Sequence, residues 1–317
     1  MLGYVGRRLR SFVAVLFVIS LISFVLTRVL FPSPVQQILG GQSSSATSAQ
    51  LARLENELGL DEPLAVQYVE WLGSVLTGDL GRSFLQPVPV STAILQRLPA
   101  TFEISVLAIA FAIVCGLVLG VAGALRRGGV VDALTSTTSV VALSVPNFFL
   151  GILLILLFAL QLGLLPTGGY VPFSQDPLGN LRSMVLPVLT LSAAYVGYFA
   201  RFSRSLMITV LGEDYILRAH ASGIKPRAVI WRHGLRNTLL PLLTVVGVNV
   251  AGLVGGAVVT ETIFSIPGVG TLLVSSILSK DFPVLQGLVL VITVCVLTIN
   301  LVIDLLYGLI DPRVRVT

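Results

Sequence analysis

The sequence predicts an all-α polytopic membrane protein with six transmembrane helices, and three observations carry that prediction. The 317 residues are 55% hydrophobic and only 11% charged, against roughly 25% charged in soluble domains, and the mean hydropathy is +0.96. There is too little charge to cover a water-facing surface. Six apolar runs without Asp, Glu, Lys or Arg are taken as the candidate crossings: Ser11–Thr27, Ile104–Leu125, Ala133–Leu165, Ser183–Ala200, Asn237–Thr260 and Phe282–Ile303. A bilayer crossing needs ~20 mainly apolar residues. Lastly, the basic residues are unevenly distributed between the two sides that six crossings define.

Each run is read as one helix. The first has a basic flank, but Arg28 and Phe31-Pro32 follow it without a small-residue cleavage site, so it is expected to remain as an anchor. The third is too long for one straight crossing. Pro146 divides it into a kinked or amphipathic approach near Ala133–Val145 and a span from Asn147. Small residues recur at four-residue spacing in Gly116-x-x-x-Gly120, Ala251-x-x-x-Gly255 and Gly252-x-x-x-Gly256. They let backbones approach closely, either at a moving interface around a pathway or in ordinary helix packing. Asn249 and Asn300 add hydrogen-bonding capacity, for substrate or for a neighbouring helix. Cys115 and Cys295 lie in apolar runs without metal-ligand spacing and read as buried free thiols.

Orientation follows from Lys and Arg. With both termini inside, 14 of the 20 basic residues fall on the cytoplasmic side: Arg7, Arg8, Arg10, Arg126, Arg127, Arg201, Arg204, Arg218, Lys225, Arg227, Arg232, Arg236, Arg313 and Arg315. Six fall outside: Arg28, Arg53, Arg82, Arg97, Arg182 and Lys280. The net charge of +5 thus reports topology rather than nucleic-acid binding. The expected organisation is a cytoplasmic amino terminus and first helix over 1–30, then an extracytoplasmic segment over 31–99. A five-helix core over 100–310 follows, with an inner loop at 201–236, and a tail over 311–317 ends the chain. The outer segment has a flexible Ser/Gly tract at 40–45, then amphipathic helical patterns over Ser48–Leu58 and Pro63–Leu76. It is too short for a catalytic domain but ample for a cap or docking surface.

Several chemistries are missing from the sequence. There is no G-x-x-x-x-G-K-[ST] phosphate loop. His220 and His233 lack partners at metal spacing. Ionisable residues near the spans are few: Glu103 opens the second, Glu261 closes the fifth and Asp304 lies near the inner end of the sixth. Ion-coupled carriers place charges at mid-membrane, so their scarcity weighs against that class, and against an intramembrane enzyme.

The inner loop holds a helix–glycine–helix element. Glu213 and Asp214 suit a helix amino terminus, with Asp214 as candidate cap. Gly223 is a carboxyl-terminal stop, and Pro226 starts a second helix through Ala228, Trp231 and Leu235 toward Asn237 and Pro241. Such a basic, small-faced element either docks into a groove on a soluble partner or anchors the loop to lipid headgroups.

Asp214-Tyr215-Ile216-x-Arg218-Ala219-x-Ala221-x-Gly223, followed by His233-x-Leu235-Arg236-Asn237 and Leu240-Pro241, resembles the EAA loop of ABC-importer permeases, in particular the dipeptide/oligopeptide/nickel branch. The resemblance covers nearly the whole chain. It includes Leu58-Gly59-Leu60-Asp61-x-Pro63-Leu64, Gly78-Asp79-Leu80-Gly81-x-Ser83, Arg97-Leu98-Pro99-x-Thr101, Ser144-x-Pro146-x-Phe148 and Leu164-Leu165-Pro166-x-Gly168-Gly169. Glu261-Thr262-x-Phe264-Ser265-x-Pro267-Gly268-x-Gly270 and Asp281-Phe282-Pro283-x-x-Gln286-Gly287 complete it. The outer segment fits the first of the two permeases in that branch. Ser222 and His220 depart from the pattern, standing where basic residues are common.

The resemblance implies the ABC type I importer transmembrane fold, in a bacterial cytoplasmic membrane. It implies a second homologous permease subunit, two cytoplasmic ATPases that bind ATP and Mg, and an extracytoplasmic binding protein delivering peptide. No cofactor or catalytic site is expected in this chain. ATPase coupling is expected at Asp214, Tyr215, Leu217, Arg218, Ala219, Ala221, Ser222, Gly223 and Ile224. Candidate pathway residues are Asn249, Gly252, Gly256, Glu261 and Asn300. Nickel or another small solute is the alternative cargo, and an ion-coupled carrier or a membrane scaffold the rival class.

Overall fold

The computed structural model describes residues 2–30, 62–86 and 88–310; the expected helix over Ser48–Leu58 lies outside them. The chain divides into two compact units, Met1–Pro99 with Thr271–Thr317, and Ala100–Gly270.

In the first unit, α1 (Leu2–Leu30) carries the first apolar run and packs against α12 (Phe282–Ile310). Pro63 precedes α2 (Leu64–Leu76), whose missing first N–H partners are met in part by Val66 and Gln67 donating to the Pro63 carbonyl. Rather than standing clear as a cap, α2 packs against α1. Tyr68 sits among the rings of Phe17 and Phe24, its hydroxyl 2.8 Å from Ser20 Oγ, and Trp71 stacks obliquely on Phe24. A short α3 (Val90–Leu95) buries Val90 and Ile94 against Gly287 of α12. Among the described residues the sole β feature is one bridge between Arg82 and Pro89.

The second unit is built around α7 (Pro177–Leu211), 35 residues long. Asp176 caps it by accepting from the Leu178 N–H at 3.1 Å, and Pro177 suits the first helical position. At 1.5 Å per residue it measures roughly 52 Å, well beyond a ~30 Å hydrocarbon core. The charge-free run Ser183–Ala200 therefore understated it at both ends, and 201–211, expected as loop, is helical. Charge marks where the lipid ends, not where the helix does.

Helix α4 (Leu98–Leu125) is apolar all round, yet it buries one stripe at strict four-residue spacing: Ala100, Ile104, Ala108, Ala112, Gly116, Gly120 and Ala124. A Cβ at Gly116 would stand 2.6 Å from Phe199 Cβ, and one at Gly120 2.6 Å from the Ala200 carbonyl oxygen. The glycines are what allow α4 to approach α7. Pro146 breaks the third run as expected: α5 (Val130–Ser144) and α6 (Asn147–Leu154), prolonged by a π-helical stretch over Ile155–Gln161, meet at 104°.

After α8 (Asp214–Ala221), a helix begins at α9 (Pro226–Ala228) and runs through a π-helical stretch, Val229–Leu235, into α10 (Arg236–Ile263). The second helix of the inner loop is thus the start of the fifth span. Pro241 sits inside α10 without ending it, and the helix bends by 63° between Pro226–Val250 and Gly255–Ile263. Helix α11 (Val269–Leu278) was not foreseen; it is apolar but too short to cross a bilayer. Among the described residues, four helices are long and apolar enough to cross, or up to six if each bent pair is one span.

Candidate coupling element and pathway residues

The candidate coupling element is α8 and the turn after it. The first intrahelical acceptor is the Glu213 carbonyl, which receives the N–H groups of Ile216 and Leu217. Asp214 is therefore the first helical residue, not the cap expected, because the cap residue is the one whose carbonyl accepts the first bond. Its carboxylate still lies in the first turn, where it favours the dipole. The other end is a Schellman stop. Gly223 has φ +77°, and the Ile224 N–H reaches back to the Ala219 carbonyl at 3.3 Å. An L side chain at 223 would be strained in that backbone region. Ser222 Oγ adds a bond to the Arg218 carbonyl at 2.9 Å.

One side chain anchors this helix and most of the rest face outward. Ile216 is 1% exposed, whereas Leu217 is 60% and Ile224 38% exposed. Arg218, Ala221, Ser222 and Gly223 are also exposed, with Ala219 intermediate. Tyr215 ties the helix to α10, its hydroxyl accepting from Asn237 Nδ2 at 2.7 Å. Nearby, Trp231 of the π-helical stretch is 63% exposed. Of the expected coupling residues, Asp214, Leu217, Arg218, Ala221, Ser222, Gly223 and Ile224 are thus exposed, and Tyr215 and Ala219 are partly buried.

The pathway candidates scatter. Asn249 donates to the Val245 carbonyl of its own helix at 2.8 Å. Gly252 faces the Tyr195 hydroxyl and Gly256 the Leu191 side chain of α7, so both serve helix packing here. Asn300 is half-buried on α12. Cys115 and Cys295 are free but half-buried rather than fully buried.

Glu261 is 0% exposed and accepts from Thr101 Oγ1 at 2.6 Å. The same hydroxyl oxygen accepts the Val269 N–H at 2.8 Å, and Gly268 and Gly270 pack against the carboxylate with no room for a Cβ. The segment between, Phe264–Gly270, includes Ser265 at φ +52°, a conformation that persists only where its surroundings hold it. The Gly169 N–H holds it too, donating to the Phe264 carbonyl at 2.7 Å. Glu261 is thus a sealed clamp on a loop.

Two further pairs escaped the sequence reading. Arg204 of α7 grips Asp132 of α5, Nη2 to Oδ2 at 2.8 Å with Nε on Oδ1, and the Gly128 N–H also donates to that carboxylate. Asp132 is the one carboxylate between Glu103 and Asp176, a signal that could have singled it out. Tyr170 donates to Glu103 Oε2 at 2.8 Å. Burial, and then this bond, push the Tyr170 pKa up to about 12, so it remains a donor at physiological pH.

Comparison with known proteins gives these features a context. Residues 89–316 match the binding-protein-dependent transport system inner membrane component family, and residues 1–105 match the N-terminal component of the same systems. The chain is 40% identical over 312 residues to a probable peptide ABC transporter permease protein of Sinorhizobium fredii, covering 98% of this chain and 99% of that one. It is 37% identical to a di/tripeptide transport system permease protein of Pseudomonas aeruginosa and 36% to a glutathione transport system permease protein of Salmonella paratyphi A, in both cases over 99% of each chain. With more than two thirds of its length matched by the family and nearly all of it aligned to these permeases, the chain belongs to the binding-protein-dependent transport system inner membrane components, the membrane permease subunits of ABC transporters.

Proposed function

We propose that this permease subunit imports di- or oligopeptides by alternating access, with both termini cytoplasmic. It pairs with a second homologous permease around a shared pathway, above two cytoplasmic ATPase subunits that bind ATP and Mg. An extracytoplasmic binding protein delivers the peptide. The names of the relatives support the cargo class, and the excess of Lys and Arg in 201–236 supports the orientation. This chain then carries motion, not chemistry.

The single observation behind the coupling role is the exposure of Leu217, Arg218 and Ala221 on α8 and of Ser222, Gly223 and Ile224 in the turn after it, above the anchors Ile216 and Tyr215. Closure of the ATPase dimer pushes on these residues. Because the helix ends in a defined stop and its base is bonded to α10, the push reaches the fifth span instead of being lost in a loose loop. Gly223→Asp tests this in the assembled transporter. We expect membrane insertion to persist while peptide-stimulated ATP hydrolysis and uptake are abolished. Normal uptake by the variant would remove the docking assignment. Co-purification of a tagged chain from native membranes tests the partners: a second six-span subunit and one or two Walker-A ATPases are expected, and recovery of this chain alone, active on an ion gradient, would refute them.

A further inference from the structure

Among the described residues of the first unit, a cavity of about 530 Å³ opens between the last turn of α1, α2, the 79–84 turn and the first turn of α12. Its wall carries two arginines, Arg28 and Arg82, and neither has an ion-pair partner among the described residues. Arg28 is half-buried, its guanidinium 5.5 Å from the centre of the Phe24 ring. The carboxylate on the wall, Asp79, is engaged by the Gly81 N–H at 2.8 Å. Gln286 also lines the cavity, and its Nε2 is buried without a hydrogen-bond partner, a state that native proteins rarely leave unanswered.

The hydroxyls nearby do not compete for a ligand. Thr27 donates to its own helix at the Ser23 and Phe24 carbonyls, Ser74 donates to the Glu70 carbonyl, and Ser83 donates to Asp281. Among the described residues, two guanidinium groups and the Gln286 amide nitrogen remain as donors, against the one Asp79 carboxylate that Gly81 already engages. That chemistry recognises an oxyanion, and a phosphate best, because guanidinium donors match its oxygens.

The height of the cavity selects the source. On α1, Arg10 and Arg28 bracket 17 uncharged residues, about 27 Å along the helix, close to the ~30 Å hydrocarbon core. Lys280 and Asp281 immediately precede α12, whose apolar span runs Phe282–Ile303. Both span boundaries line this cavity. It therefore sits at headgroup level on the side opposite the amino terminus, whichever side that is. Trp71, Phe84 and Phe282 supply the aromatic lining usual at such an interface. Leu26 and Leu76, 49% and 80% exposed on the adjoining helices, offer apolar surface to acyl chains.

We propose that this cavity binds the phosphodiester headgroup of an anionic phospholipid. The full-length chain in neutral detergent, titrated with phosphatidylglycerol or phosphatidylcholine and read by native mass spectrometry, tests it. At about a fivefold contribution per arginine near the membrane surface, Arg82→Gln should lower phosphatidylglycerol retention about fivefold and Arg28→Gln/Arg82→Gln about thirtyfold. The paired lysine variants should keep the preference over phosphatidylcholine. Arg82 is exposed and its side chain holds no other element, so the single variant reports on the site even if the double variant fails to fold. Equal retention of the two lipids by the parent chain, or an Arg82→Gln variant indistinguishable from it, would overturn the proposal. So would displacement of the lipid by excess inorganic phosphate, which would assign the cavity to a soluble anion.

Discussion

Within the Ala100–Gly270 unit, α8 and the Phe264–Gly270 loop are two short segments adjoining long helices, and they are secured in opposite ways. The α8 element has one buried anchor, Ile216, one tethering bond to α10, and otherwise an exposed face. The loop is held from three directions, by the buried Glu261, by Thr101 of α4 and by the Gly169 N–H, and it contains a residue in the left-handed region. Stability is not uniform across a protein, and segments that must be contacted or moved come from its less secured parts. On that basis the proposed docking of a partner falls on α8, the less secured segment, while the loop is the part built to keep its shape. Substitutions in the loop should therefore damage stability first, and substitutions on α8 should damage coupling first.

The strongest test strikes the packing of α4 on α7 in the same unit. Gly120→Leu forces a side chain into backbone atoms of α7, where even a Cβ would stand 2.6 Å from the Ala200 carbonyl and 2.9 Å from the Arg204 nitrogen. Overpacking of this kind costs about 1–3 kcal/mol and sometimes more. We expect poor accumulation in the membrane and a lowered Tm in detergent. Glu261→Ala ranks next. It leaves the Thr101 hydroxyl without its buried acceptor, at a cost of about 1–3 kcal/mol for a buried group left unsatisfied. Thermal unfolding should show the loss, while the remaining protein should keep its normal ratio of stimulated to basal ATP hydrolysis in the assembled complex. A Glu261→Ala variant with unchanged Tm and abolished coupling would reverse the comparison, making the loop the moving part.

Features carried by local chemistry were legible in the sequence. The break at Pro146 follows from a ring that lacks a donor and crowds the preceding turn, a tendency α10 overrides at Pro241, and the Gly223 stop with the Pro226 restart follows from backbone preferences of single residues. Features fixed by packing between distant residues were not. Arg204 is 72 residues from Asp132, and Thr101 is 160 from Glu261, so no local pattern announces either pair. The Gly116–Gly120 spacing pointed to α4 packing but showed only the middle of a stripe that begins at Ala100 and ends at Ala124. The length of α7 was missed because a membrane helix that continues into water acquires charges while remaining helical. The helix–glycine stop of the inner loop was legible locally, although Asp214 proved to be the first helical residue and not the cap.

Smaller effects refine the comparison. Tyr215→Phe removes the one hydrogen bond tying α8 to Asn237, an exposed bond of about 0.5–1.5 kcal/mol. Global Tm should barely move, yet amide exchange in 214–222 should accelerate and peptide-stimulated hydrolysis should fall by a modest factor. Unchanged exchange would mean that Ile216 alone secures the helix.

The subtlest expectation concerns Tyr170, which binds Glu103 in the same unit as the loop. Its pKa is raised from 10.0 to about 12, first by burial and then by the bond to Glu103. A group whose folded pKa is raised favours the fold while it is protonated. Its contribution is therefore whole below pH 10 and fades as pH climbs toward 12, with no change near neutrality. Tyr170→Phe should flatten that alkaline limb of stability in detergent while leaving hydrolysis coupled. If the variant instead uncouples transport at neutral pH, the Tyr170–Glu103 bond belongs to the moving parts, and the securely held region is smaller than Glu261 and Thr101 make it.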